Sequence, residues 1–163
     1  YNGIKDNILN LYSVYKKSFS LLMTFYEKLY PTIKFYNLNI SDTFGKNDKR
    51  KKLINTLRVN FKNNELTNII SSKLHINLVN IIDIINCVNL IINKSFKSGN
   101  YSLVNSKNYS ISEIINKHKK NNKKKIKVKW LGNEIVKEKI YMYKKVPGWK
   151  LHYSNLSSII NNI

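Results

Sequence analysis

The chain has 163 residues and carries 29 Lys+Arg against 9 Asp+Glu, a formal net charge of +20, with 42% hydrophobic residues. That much apolar content excludes general disorder, and the length fits one domain or two small ones. The charge opposes self-packing and points to a polyanionic partner. Only Arg50 and Arg58 are arginine, Ala and Gln are absent, and Asn, Lys, Ile and Tyr dominate. This is the signature of A/T-rich codons, so much of the Lys-for-Arg usage reports genome bias.

Residues 4–30 place apolar side chains at helical spacing (Ile8, Leu11, Tyr12, Tyr15, Phe19, Leu22, Tyr26, Leu29), which predicts one or two amphipathic helices ended by Pro31. Residues 32–40 alternate as a short strand. A basic loop over 41–52 then leads into a helix at about 51–60. Residues 66–72 read as a helical turn, 74–80 as a strand and 81–97 as a helix with the stripe Ile84, Val88, Ile91 and Ile92. Ser98-Gly99-Asn100 reads as a turn, and 110–120 as a helix capped by Ser110 or Ser112. Residues 123–130 alternate Ile126, Val128 and Trp130 with Lys125, Lys127 and Lys129, an amphipathic strand with one cationic face. Residues 131–133 turn the chain, and a second strand over 134–145 completes an antiparallel hairpin. Val146-Pro147-Gly148 is a further turn, and 151–153 a further pairing segment. The tail, 156–163, has no decisive pattern. The expected fold class is α+β, with two halves meeting near Asn80, residues 1–80 and 81–163.

Catalytic and metal-binding signals are absent from this reading. Cys87 sits in an apolar run and reads as a small buried hydrophobe in a reducing compartment. His75, His118 and His152 are scattered, and the five glycines lie too far apart to cradle a phosphate. Glu134 and Glu138 read as salt-bridge partners among cations. No cofactor, no catalysis and no membrane span are expected.

Three basic constellations carry the functional expectation. The first is the loop Gly45, Lys46, Lys49, Arg50, Lys51 and Lys52, in which a glycine beside a helix start lets backbone approach a phosphate. The second is Lys119, Lys120, Lys123, Lys124, Lys125, Lys127 and Lys129. On a strand, Lys125, Lys127 and Lys129 project at about 6.6–6.8 Å, near the spacing of phosphates along one nucleic-acid strand. The third is Lys137, Lys139, Lys144 and Lys145, interleaved with Tyr141, Tyr143 and Trp149; core packing and base stacking both suit those aromatics.

The run from Lys124 to Pro147, closed by Leu151-His152, resembles the small-subunit ribosomal protein three family. Ile126-Lys127-Val128 matches that family's G-I-K-V strand, Glu134-Ile135 with Glu138 its G-x-E-I-A-R-x-E turn and strand, and Val146-Pro147 with Leu151-His152 its V-P-L-H close. Upstream, residues 75–81 resemble its I-N-I-V-E-I strand, and Phe44-Gly45-Lys46-Asn47-Asp48 stands at its KH loop, with Asp48 in place of the second glycine. The resemblance implies a degenerate type II KH domain followed by a C-terminal α+β domain with an antiparallel hairpin. It implies a structural, rRNA-binding constituent of an organellar small ribosomal subunit, mitochondrial or else plastid, in the head near the mRNA entry side. Implied partners are rRNA, neighbouring small-subunit proteins, mRNA and a second chain completing a split protein. Its RNA contacts would be the three clusters above, with Lys107 where the family has an Arg pair before its basic helix.

Two alternatives stand beside it. Leu11-Tyr12-Ser13 is similar to the LYR motif of accessory subunits of organellar membrane complexes, with Ser for its Arg. A free single-stranded-RNA binder using the KH loop is the other.

Overall fold

The computed structural model describes residues 11–122, 126–137, 140 and 142–161. The chain forms two compact units: residues 1–37 with 96–100, and residues 38–95 with 101–163.

The first unit is built on helix α1 (Leu11–Leu29). Its apolar side chains cover an arc of about 200° at 3.6 residues per turn, and none of its residues is buried. Tyr30 and the Pro31 turn end it, as the proline requires. The start of strand β1 (Tyr36–Ile40) then lies beside the start of β6 (Gly99–Leu103). Gly99 N–H donates to the Phe35 carbonyl at 2.9 Å, Phe35 N–H to Ser98 Oγ at 3.1 Å, and Asn37 Nδ2 to Asn100 Oδ1 at 2.7 Å.

The second unit holds the core. Strand β2 (Asp42–Phe44) is followed by α2 (Leu53–Asn63), then by three successive strands, β3 (Thr67–Ile69), β4 (Leu74–Ile76) and β5 (Leu78–Asn80), and by α3 (Ile81–Asn93). Then follow β7 (Tyr109–Ser110), α4 (Ile111–Asn122), β8 (Val128–Trp130), β9 (Val136–Lys137) and α5 (Leu156–Ile160). Strand β2 pairs with β5, β3 with β8 and β4 with β9, all parallel; β4–β7 is antiparallel. Parallel partners need a crossover connection, usually a helix, and that is the role of α2, α3 and α4. The buried cluster joins Phe44, Leu57, Phe61, Ile69, Leu78, Ile111, Ile114, Ile115 and Ile159.

Several expectations are corrected here. The antiparallel hairpin over 123–145 does not form among the described residues: β8 and β9 belong to different sheets, each beside a strand from the first half of the chain. Residues 67–69 are a strand, because Thr67 and Ile69 face inward while Asn68 faces out. Residues 99–103 are a strand where only a turn is expected. The segment 74–80 divides into two strands around Asn77, whose side chain bonds Asn105 and Asn108. Gly45 closes a strand paired in parallel, so the degenerate KH domain is also overturned: the architecture is α/β with mostly parallel pairing. A Cβ on Gly45 would lie 2.7 Å from Ile81 Cγ2. Gly45→Ala is therefore expected to destabilise the chain by about 1–3 kcal/mol through overpacking, read as a lowered urea midpoint; an unchanged midpoint would remove the steric role.

Helices α3 and α4 show why the sequence periodicity works. Asn80 caps α3, its Oδ1 accepting from Ile82 N–H at 2.9 Å. Ser110 and Glu113 form a reciprocal capping box on α4. Glu113 N–H donates to Ser110 Oγ at 3.1 Å, and Ser110 N–H to Glu113 Oε2 at 2.7 Å. That backbone bond, more than any other cause, holds the Glu113 carboxyl below its usual range.

Candidate active site

The described residues contain no group of His, Cys, Asp or Glu able to hold a metal ion. Burial pushes the Cys87 thiol up to about 11, so it is inert.

Two arrangements stand out chemically. One lies on α1. Tyr12 and Lys16 are one helical turn apart, both exposed, with Lys16 Nζ 5.5 Å from the centroid of the Tyr12 ring. They share an open concavity with Tyr15, Ser18, Phe19 and Leu22. A phenolic O–H can give and accept a proton, and the ammonium beside it balances charge while the proton is away. In the sequence Tyr12 belongs to an apolar stripe and to the LYR-like triplet, and what marks it chemically is the i, i+4 spacing of a phenol and an amine.

The other is the loop between β2 and α2. Arg50 binds Asp48 in a fork, Nε to Oδ1 at 2.8 Å and Nη2 to Oδ2 at 2.6 Å. This pairing holds the Asp48 carboxyl down at about 2. Asp48 is thus neutralised inside the loop rather than aimed at a ligand. Lys52 is ion-paired to Asp42. Lys46, Lys49 and Lys51 point outward, and none has an ion-pair partner among the described residues.

The remaining expected contacts are dispersed. Lys107 stands over the Tyr109 ring at 5.1 Å and Lys144 over the Tyr101 ring at 4.5 Å. Lys119 and Lys120 occupy the last turn of α4, where cations complement the helix dipole. Lys129 is exposed on β8 and Lys127 is exposed just before it, Lys137 lies on β9, and Lys145 is exposed. Lys123, Lys124, Lys125, Lys139 and Tyr141 fall outside the described residues. The second and third clusters are therefore not two strands of one cationic hairpin.

No protein-family model matches the sequence, and no curated protein matches it. Solved structures do. The UDP-glucuronic acid 4-epimerase of Bacillus cereus, captured as a tyrosine-to-phenylalanine mutant with a fluorinated sugar nucleotide and NAD, superposes with a TM-score of 0.75. It shares 15% identity over 99% of this chain and 55% of that one. The UDP-glucose 4-epimerase of Thermus thermophilus with NAD gives 0.72 at 12% identity, over 93% of this chain and 53% of that one. The dTDP-glucose 4,6-dehydratase of Bacillus anthracis with NAD gives 0.72 at 12%, over 93% and 51%.

The chain has part of the fold of the nucleotide-sugar epimerases. It spans about half the length of these structures. The likeness overturns the resemblance to small-subunit ribosomal protein three. With it go the rRNA-binding role, the free KH alternative, the expected ribosomal partners and the expectation of a chain without catalysis: the structures that share the fold are two 4-epimerases and a 4,6-dehydratase, each solved with NAD.

Proposed function

We propose that the chain forms the substrate-side part of a nucleotide-sugar epimerase or dehydratase, with Tyr12 as proton acceptor and donor at a sugar hydroxyl. The observation that carries this is the exposed Tyr12–Lys16 pair in the concavity on α1, on a fold shared with enzymes of that class. As the phenolate, whose charge Lys16 Nζ balances, Tyr12 Oη takes the hydroxyl proton to become the phenol, and it returns that proton to the sugar oxygen in the reverse step. Phe19 and Leu22 supply an apolar floor along the same face.

The dinucleotide of the neighbours does not fit these residues. A pyrophosphate of that kind sits on a glycine-rich turn at a helix start, and Gly3, Gly45, Gly99, Gly132 and Gly148 each stand alone. The chain's own part is to bind the sugar nucleotide and to move the hydroxyl proton.

Isothermal titration with UDP-glucose and UDP-glucuronic acid tests the reading. Saturable binding of either, tighter than about 1 mM and displaced by the other, is expected. Heat no greater than that of free glucose at the same concentration would sink it.

A further inference from the structure

We propose that the outer face of α3 is the seam of a two-fold, antiparallel dimer of this chain. Helix α3 is apolar on two opposite sides. Its inner side buries Ile84 and Cys87, with Asp83 beside them. Its outer side carries Ile81, Ile85, Val88 and Ile92, which are 43%, 51%, 38% and 74% exposed. A surface helix ordinarily turns a polar face outward, and a helix that is apolar on both sides belongs in an interior. The outer four are spaced by four, three and four residues. That spacing averages close to 3.5 residues and keeps the side chains on one line along the helix, the period at which two helices interlock.

A second copy is the occupant this line fits. Turned end for end about the middle of α3, the four residues map onto one another: Ile81 meets Ile92 of the second copy, and Ile85 meets its Val88. A two-fold contact requires that self-complementarity. Asn86 and Asn89 flank the line on one side, both exposed. Each amide both donates and accepts, so the same residues can bond across the two-fold. The charge pattern points the same way. No Lys or Arg stands between Lys73 and Lys94, in a chain that carries 29, so α3 brings no cation of its own to the contact. The other bare helix, α1, carries Lys16, Lys17 and Lys28, and copies joined there would set like charges together. With Ile82 the four expose on the order of 400 Å² of side chain, the size of patch that marks an interaction site on a monomer. A pair covers about twice that, below the ~1,200 Å² of a standard interface, so the dimer is weak and reversible, with a dissociation constant of about 100 µM or less.

The test is sedimentation equilibrium of the chain without any ligand, so its outcome is separate from that of the nucleotide-sugar reading. The mass is expected to rise reversibly from 19.2 kDa toward twice that value with concentration. The association should tighten as salt goes from about 0.05 to 0.5 M, because salt screens the charge of +20 on each copy and leaves an apolar seam intact. Val88→Lys, at an exposed position, should weaken it about tenfold or more with unchanged circular dichroism. Leu22→Lys on α1 should leave it unchanged. A chain that stays monomeric at about 0.5 mM in 0.5 M salt overturns the dimer. Association that weakens as salt rises is ionic and overturns the apolar seam. A dimer that survives Val88→Lys, or one that Leu22→Lys breaks, overturns its placement on α3. If Val88→Lys does not fold, a mixture of Ile81→Cys and Ile92→Cys chains decides. Mild oxidation should join the two variants to each other and neither to itself, since the wild-type Cys87 is buried. Cross-linking of either variant alone as readily as of the mixture overturns the antiparallel register, and no cross-link in the mixture overturns the seam.

Discussion

Tyr12→Phe is expected to lower turnover of a UDP-sugar by about 10²–10⁴-fold while leaving its binding within about threefold. The substitution removes one oxygen from the α1 concavity and keeps the ring that Lys16 stands over at 5.5 Å. Packing and cation–π attraction therefore survive, and only the proton carrier is lost. The measurement is the rate of UDP-sugar conversion by chromatography, with calorimetry for binding. Lys16→Met should lower the rate too, because the charge on Tyr12 Oη then has no counterion. A Tyr12→Phe enzyme that keeps its rate within about threefold would remove Tyr12 from the chemistry.

Asp83→Ala is expected to cost about 2–5 kcal/mol of stability, from two half-buried backbone amides left without their acceptors. Asp83 is fully buried on the inner face of α3. Its Oδ1 accepts from His152 N–H at 3.0 Å and its Oδ2 from Tyr153 N–H at 3.1 Å. Its main-chain carbonyl accepts from the Trp149 indole N–H at 2.8 Å. One residue thus ties the segment 149–153 to α3, across nearly 70 residues of sequence. Asp83→Asn keeps the shape but offers one carbonyl oxygen to two donors and turns an N–H₂ toward the other, so it should cost less than Ala and more than nothing. Urea unfolding reads both; equal midpoints for wild type and Asp83→Ala would show that the segment is held by other contacts.

Much of the helical framework was legible, and the reasons are local. Stripes such as Ile111, Ile114 and Ile115, and stop signals such as Pro31, act within a few residues. Strand pairing was not legible. The described strands are two to five residues long, too short for alternation to decide, and their partners lie far away in sequence: Thr67 opposite Val128, Leu74 opposite Val136. Residues 66–70 put Leu66, Ile69 and Ile70 at helical spacing, which hides a strand with Thr67 and Ile69 inward. The alternation around Lys125 to Trp130 is that of a strand in any fold, so it supported the ribosomal resemblance equally well. Tyr12 was hidden by composition: with 11 tyrosines in the chain, one more on a helix carries little signal until its neighbour a turn away is seen. Asp83 broke an apolar run in the sequence, which marked its position but not its partners.

Helix α1 displays Leu11, Tyr15, Phe19, Leu22, Phe25 and Leu29 on its surface, and none of its residues is buried. For the chain on its own this is a colloidal matter. Apolar helices left bare draw copies together at short range, while +20 on each copy holds them apart over about 10 Å at 0.1 M salt and farther in dilute buffer. The net charge of +20 thus opposes that association, and it does so only where the ionic strength lets the charge be felt.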